Sequence, residues 1–226
     1  MGATATTDRF GTANMAMSFN GSSQYVGVSD SSSLAIAGFI TIVAWIKTTA
    51  TGTVVIVDKF NSTAPLINAG YSLTMISSGI LRGTFHSSST GIDLNTASGL
   101  INDGNWHHCV VVYDGSYAYD YVDGVLKAGP TAYSGGITNT GKALSIGRRT
   151  DINAFYFSGS IDEVKIFNRA LTATDILSMY NHEKGKFSVG KDGTMRALEF
   201  VEDSTLPVQM RSKKKSLTVK GQLIEQ

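Results

Sequence analysis

The sequence is poor in cysteine, in charge and in long apolar runs. Its one cysteine, Cys109, excludes any disulfide within the chain, and its apolar surroundings predict a buried thiol. Only 16% of the 226 residues are charged and the net charge is +1, so no global field attracts nucleic acid or an anionic membrane. No apolar stretch approaches the roughly 18 residues of a membrane-spanning helix. The short basic run at 211–215, with four basic residues, does not make this otherwise neutral chain a nucleic-acid-binding protein.

Catalytic acids are scarce as well. Glutamate is absent before Glu163, and the aspartates of the first half fall mostly in turn-like sequence. Glycosidases need two placed carboxyl groups, and serine hydrolases of the α/β type need a Gly-x-Ser-x-Gly turn. Neither pattern occurs, so the sequence predicts a protein that is not an enzyme.

Short segments of alternating apolar and polar residues dominate what is present. An Asn20-Gly21 turn joins two of them, and this pair is a strong hairpin signal. Strands are predicted at 16–19, 25–28, 39–46, 53–58, 71–76, 81–86, 106–113, 118–122, 125–126, 143–147, 155–158 and 161–168. Together with 24 glycines, this spacing predicts an all-β, two-layer antiparallel jelly-roll sandwich.

Three regions are expected along the chain. Residues 1–14 form a lead-in, residues 15–184 form the jelly-roll domain with one helix at 172–182, and residues 185–226 form a short β-rich tail. The tail has too few large apolar residues to fold alone. We therefore expect it to mediate assembly, either into a homo-oligomer, for which a trimer is the predicted symmetry, or onto other particle proteins through residues 186–226.

Five sequence blocks, in the same order, resemble the laminin-G-like jelly-roll family, which is grouped with the concanavalin A-like lectins and glucanases. They are 17–26, 39–47, 103–124, 146–148 and 157–171. The resemblance covers residues 16–181 and implies the same sandwich. Trp45 and Trp106 lie in strands flanked by apolar residues, which predicts that both belong to the core. The family's frequent aspartate after the first strand is Asn20 here, and another aspartate is replaced by Gln24.

The resemblance also implies a structural calcium ion where the last strand passes the first hairpin. Asp162 would be its side-chain ligand, and backbone carbonyls near Asn20 and Gly21 would complete it. Calcium prefers six to eight oxygen ligands, and Asn20 in place of a carboxylate weakens such a site. In the alternative interpretation, Asp162 accepts backbone hydrogen bonds at the rim of the sandwich.

A carbohydrate site is the second prediction, because sugars bind to aromatic faces flanked by amides and charged groups. Tyr117 and Tyr119 share one face of a strand with Tyr121. The loop residues that complete the candidate set are Tyr133, Asn139, Arg148, Arg149, Asp151 and Asn153. In the alternative interpretation, Tyr121 belongs to the core and the others are ordinary half-exposed residues.

Two functional hypotheses follow. In the first, the chain is a structural display protein of a virion, such as a phage capsid, fibre or appendage, with the jelly roll exposed on the virion surface to bind glycans. In the second, it is a secreted or cell-surface bacterial lectin-like or adhesin domain. The polar stretch 1–10 lacks the apolar core of a signal peptide. This favours the first hypothesis unless a leader precedes the sequence given.

Overall fold

Two antiparallel sheets form the first of two structural units, which spans Met1–Leu171. A computed structural model describes residues 2–63 and 68–185, together with the backbone of four short tail strands. These strands are β14 (Ser188–Val189), which pairs with β15 (Met195–Arg196), and β16 (Leu217–Val219), which pairs with β17 (Gln222–Ile224). The other tail residues, on which the predicted assembly role depends, lie outside the described residues.

The larger sheet has seven strands. Their spatial order is β1 (Thr4–Thr6), β2 (Ala16–Asn20), β13 (Ser158–Phe167), β4 (Ile40–Lys47), β9 (Trp106–Tyr113), β10 (Tyr117–Val122) and β11 (Val125–Ala132). The closing strand β13 thus lies between strands from the start of the chain, as in a jelly roll. The predicted lead-in contributes β1, which pairs with β2 with Thr6 opposite Ala16.

The smaller sheet has six strands. Their spatial order is β3 (Val26–Val28), β12 (Leu144–Ile146), β5 (Val54–Asn61), β6 (Ala69–Ile76), β7 (Ile80–His86) and β8 (Gly91–Asn95). Single 3-10 turns occur at Ser32–Leu34 and Ser77–Gly79. The two sheets confirm the all-β sandwich that the sequence predicts.

The main core lies between the sheets. Alternate residues of each strand point inward, so β4 contributes Ile42, Ala44 and Ile46, while β6 contributes Leu73 and Met75, all fully buried. Cys109 on β9 joins the same core, and its buried thiol has a raised pKa because burial disfavours the thiolate. Each large apolar side chain buried in this way stabilises the fold by roughly 1.5–3 kcal/mol.

The opposite face of the larger sheet is also covered. Trp45 on β4 is 3% exposed. Its ring lies 5.1 Å from the ring of His108 and 4.7 Å from the guanidinium carbon of Arg9. Trp45 is therefore buried as predicted, on the face away from the other sheet. Trp106 is only half-buried, because it begins β9 opposite Lys47 at the end of β4, so its predicted place in the core is wrong.

The second unit spans Thr172–Gln226 and contains helix α1 (Ala173–Glu183). The Thr172 hydroxyl accepts a hydrogen bond from the backbone NH of Asp175, and the Asp175 carboxylate accepts one from the backbone NH of Thr172. This reciprocal capping box fixes the start of the helix where the sequence predicts it. The unit boundary precedes the helix, whereas the prediction placed the helix within the domain 15–184. Among the described residues, no helix is long and apolar enough to span a membrane.

Candidate functional site

A continuous row of polar side chains crosses the outer face of the six-stranded sheet. Asp58 on β5 lies opposite Ser72 on β6. Ser72 lies opposite Thr84 on β7, and Thr84 lies opposite Asp93 on β8. Since neighbouring strands are about 4.8 Å apart, the row is roughly 14 Å long.

Strand alternation explains why this row faces outward. On β6, Tyr71, Leu73 and Met75 point into the core. Ser72 and Thr74, which alternate with them, therefore point to the other face. Ser72 and Thr74 are nevertheless only 6% and 7% exposed. They form the floor of a groove rather than an open surface.

The groove above this floor has a volume of about 420 Å³, within the range of small-molecule sites. Its lining combines hydroxyl groups, two carboxyl groups, two guanidinium groups and apolar side chains. The polar members are Thr53, Asp58, Ser72, Thr74, Ser77, Arg82, Thr84, Asp93 and Arg149, and the apolar members are Val55, Phe60, Ile76 and Phe155. Phe155 is 41% exposed and offers part of an aromatic ring to a ligand.

Asp58 is the most deeply placed ionisable group of the groove. It is 1% exposed, and one carboxyl oxygen accepts a hydrogen bond from the backbone NH of Thr150 at 3.2 Å. Burial raises the pKa of Asp58 to about 7, and the hydrogen bond from Thr150 and the charge of Arg149 only partly offset this effect. Near neutral pH, the carboxyl group can therefore either donate or accept a hydrogen bond.

Arg149 is held at one end of the groove by Asp151. Its Nε lies 2.9 Å from one carboxylate oxygen of Asp151, and its Nη2 lies 3.4 Å from the other. The backbone NH and hydroxyl of Ser62 donate to Asp151 at 2.6 and 2.7 Å. Burial would raise the pKa of Asp151, but the hydrogen bonds from Ser62 and Arg149 outweigh it and lower that pKa.

Arg82 and His86 lie near the other end, around Asp93. Arg82 donates from Nε to Asn95 at 2.8 Å, and its Nη1 lies 3.8 Å from Asp93. The Nε2 atom of His86 lies 3.1 Å from the other Asp93 oxygen. The hydrogen bond with His86 is the main reason that the pKa of Asp93 is lowered, against the opposing effect of burial.

The tyrosines predicted to bind sugar lie on the other sheet. Tyr117 and Tyr119 point to the outer face of β10, with ring centroids 6.5 Å apart. Tyr117 is 44% exposed, and the hydroxyl of Tyr119 donates to Asp114 at 3.0 Å. Tyr121, further along the same face, is buried.

The predicted loop residues do not join these tyrosines into one site. Tyr133 uses its hydroxyl to tie loops together, since it lies within hydrogen-bond distance of Ser87 N and of the carbonyls of Thr90 and Gly136. Asn139 is exposed and closes a local turn by accepting from the backbone NH of Gly141 at 3.3 Å.

Arg148 and Asp151 follow β12 of the smaller sheet. The guanidinium carbon of Arg148 lies 3.5 Å from the ring centroid of Tyr25, and its Nη1 donates to Asn153 at 2.6 Å. Asp151 holds Arg149, as described above. Of the residues predicted for sugar binding, Arg149 thus lines the groove and Asp151 holds it in place.

The residues predicted for calcium lie apart. The Oδ1 atom of Asn20 accepts from three successive backbone NH groups, those of residues 22–24. Gly21, with a φ of +73°, donates its NH to Phe157. Asn20 lies opposite Ser158, four positions before Asp162 on β13, which corresponds to roughly 13 Å along the strand.

Asp162 has a partner of its own, because Arg9 donates to its carboxylate at 2.6 Å. Burial raises the pKa of Asp162, and the charge of Arg9 opposes this shift. Over residues 2–63 and 68–185, no group of three or more His, Cys, Asp or Glu side chains is arranged to hold a metal ion. The three predicted residues do not fit a single calcium site, and the structural ion stays a prediction.

Arg149 apart, the sequence-based predictions did not identify the residues that line the groove. Its signal was present in residues 71–76, where hydroxyl residues alternate with large apolar ones. Such alternation marks a polar outer face, but it does not reveal which strands are neighbours. The row from Asp58 to Asp93 exists only because β5, β6, β7 and β8 pair in this register.

The comparisons with known proteins agree with this fold. The sequence profile of a laminin-G-like family, described as "Concanavalin A-like lectin/glucanases superfamily", matches residues 20–177. The chain belongs to this superfamily. No curated protein sequence matches it significantly.

Three solved structures illustrate the similarity. Domain 4 of AbnA, a GH43 extracellular arabinanase from Geobacillus stearothermophilus in complex with arabinotriose, is 21% identical with a TM-score of 0.55, over 73% of this chain and 76% of that one. The ligand binding domain of botulinum neurotoxin serotype D, in complex with N-acetylneuraminic acid, is 17% identical with a TM-score of 0.60, over 80% of this chain but only 44% of the toxin chain.

The third is the CBM40 domain of the Ruminococcus gnavus IT-sialidase, bound to α2,3 sialyllactose. It is 16% identical with a TM-score of 0.56, over 72% of this chain and 96% of that one. At these identities the similarity shows a shared fold.

Proposed function

We propose that this chain is a non-catalytic glycan-binding module and that its ligand occupies the groove on the six-stranded sheet. The observation that carries the proposal is the buried polar row under the groove. Ser72, Thr74 and Thr84 present hydroxyl groups on a floor that is shielded from solvent. Sugar hydroxyls both donate and accept hydrogen bonds, so a floor of hydroxyl and carboxyl groups is complementary to them.

The sugar complexes of the similar structures support this proposal. One holds arabinotriose, another N-acetylneuraminic acid and a third α2,3 sialyllactose. The exposed ring of Phe155 adds an apolar surface of the kind on which sugar rings stack.

The positions of the carboxyl groups argue against hydrolysis of the bound glycan. Glycosidases place two carboxyl groups about 5–5.5 Å apart, or about 6.5–9.5 Å apart for inversion. The backbones of Asp58 and Asp93 are separated by three strand spacings, roughly 14 Å. The side chain of Asp151 has no exposed surface and is occupied by Ser62 and Arg149. The groove therefore binds without catalysing.

We further propose a secreted or surface-exposed location for the module. The word "extracellular" in the description of the arabinanase supports such a location, because glycans are ligands of the outer surface of cells and particles. Display on a virion, the first hypothesis from the sequence, is one form of it and stays a prediction.

A glycan microarray followed by calorimetry tests the proposal. We expect the full chain to bind a defined set of glycans, and we expect Phe155→Ala to weaken that binding at least tenfold. Phe39→Ala is the matched control, because Phe39 is also an exposed phenylalanine, at 55%, and does not line the groove. Absence of any glycan binding, or equal losses in the two variants, would contradict the proposal.

A further inference from the structure

The charged groups around the groove are already neutralised by one another. The two guanidinium groups that line it, those of Arg82 and Arg149, face three carboxyl groups, those of Asp58, Asp93 and Asp151. Counted over residues 2–63 and 68–185, the groove therefore offers a ligand no excess of positive charge.

Resting on the proposed function, we propose that the groove selects uncharged sugars and rejects glycans whose bound residue carries a carboxylate or sulfate. Recognition of an anionic sugar is favoured by a cation whose charge is not already offset by a neighbouring carboxylate. Arg149 contacts both oxygens of Asp151 with two of its nitrogens. Asp151 itself is fully enclosed and fixed by Ser62, so this ion pair is not available for exchange with a ligand.

The charge of Arg82 also has a carboxylate beside it. Its Nε donates to Asn95, and its Nη1 faces Asp93, which also contacts His86. A carboxylate placed beside Arg82 would therefore lie next to the Asp93 carboxylate. Repulsion between like charges in a partly enclosed site costs more than the same contact in bulk water.

The floor adds a second barrier to anions. Asp58 lies beneath the groove with 1% exposure. Its cross-strand neighbour on β6 is the uncharged Ser72. An anionic sugar above Asp58 would favour the protonated carboxyl, whereas a neutral sugar hydroxyl can donate to either form and can also accept from the protonated one. Hydroxyl groups of Ser72, Thr74 and Thr84 complete a floor without positive charge.

A microarray of matched pairs tests this selectivity, with each neutral core printed beside its sialylated, uronic acid and sulfated derivatives. Lactose and α2,3 sialyllactose form one such pair. We expect the wild-type chain to bind the neutral member of each recognised pair at least tenfold more tightly. Acidic members bound equally well or better would overturn the selectivity and leave glycan binding intact, whereas absence of binding to every glycan would refute the proposed function itself.

Asp93→Asn tests whether charge pairing causes the selectivity. The Asp93 side chain is 42% exposed, so the substitution leaves the core untouched while it frees Arg82 and His86. We expect its preference for neutral over acidic glycans to fall at least threefold. Asp114→Asn on the other sheet makes the same change in net charge and should leave the preference unchanged. An unchanged preference in Asp93→Asn, or equal shifts in both variants, would overturn the proposed cause.

Discussion

Asp58 and Ser72 are direct cross-strand neighbours on β5 and β6, and both are almost fully buried beneath the groove. A carboxyl group in this position is costly to ionise, which is why the pKa of Asp58 rises to about 7. A carboxyl pKa that is higher in the folded state means that the folded chain binds a proton which the unfolded chain has lost. The stability that Asp58 contributes is present in full below pH about 4, the pKa of an unfolded aspartate, and declines as the pH approaches 7.

Asp58→Asn should remove this dependence, because the amide oxygen still accepts from Thr150 and carries no charge. We expect the variant to gain free energy of unfolding relative to wild type between pH 5 and pH 8, by at most about 4 kcal/mol. Denaturant unfolding of both proteins across this range measures the difference. Parallel pH curves would show that Asp58 is not the buried proton-binding group.

His107 gives a second pH-dependent contribution with the same sign. Its Nδ1 lies 2.9 Å from Asp123 and its Nε2 lies 3.0 Å from Asp103, so both ring nitrogens face carboxylates. The hydrogen bond with Asp123, opposed by burial and reinforced by Asp103, raises the pKa of His107. The stabilisation is complete below pH about 6.5 and is lost as the pH rises through the higher folded-state pKa.

We therefore expect His107→Gln to lower the melting temperature more at pH 5.5 than at pH 9. Thermal unfolding at both values measures this, and NMR titration of the wild-type imidazole reports the pKa directly. A His107 pKa at or below that of an unfolded histidine would contradict the arrangement.

Arg9 and Asp162 give a prediction about calcium. Their side chains are only 7% and 10% exposed, and Arg9 also lies over the rings of Phe10 and Trp45. Removing one partner of such a pair costs up to about 3–5 kcal/mol, because it leaves the other charge enclosed and uncompensated. We expect Arg9→Met to destabilise the chain strongly, and the double variant Arg9→Met with Asp162→Asn to recover part of that loss.

Chelation of calcium should then change the melting temperature by little or nothing. A drop of many degrees with chelator, reproduced by Asp162→Ala, would show that Asp162 binds a structural ion. A double variant no more stable than Arg9→Met would show that the two side chains are not coupled.

The tail prediction concerns assembly. Deletion of residues 186–226 should leave a folded, soluble monomer, because the two sheets and their core are complete by Leu171. The full chain should form a larger species, with a trimer expected. Light scattering and native mass spectrometry of both proteins measure this. If the full chain and the truncated chain form particles with the same number of subunits, the prediction is contradicted.

The sandwich could be predicted from the sequence because the signals for strands and hairpins lie in short, continuous segments. Alternation in segments such as 39–46 and the Asn20-Gly21 turn identify strands and hairpins without knowledge of their partners. Strand β8 (Gly91–Asn95) was not predicted, because its sequence GIDLN is short and rich in turn formers. β8 forms because it pairs with the edge of β7.

The candidate site could not be predicted in the same way. Asp58 and Asp93 are far apart in sequence, and only the strand register brings them into one row. Conversely, Tyr133 and Arg148 look like ligand-binding residues in the sequence, but the fold uses one to tie loops and the other to stack on Tyr25.

An NMR titration of the isotopically labelled chain with the tightest-binding neutral oligosaccharide is the most direct test of the central claim. If the groove is the binding site, amide shifts should change in residues 55–60, 72–84 and 149–155 and not on β10. Changes confined to Tyr117, Tyr119 and their neighbours would contradict the account and place the sugar on the opposite sheet.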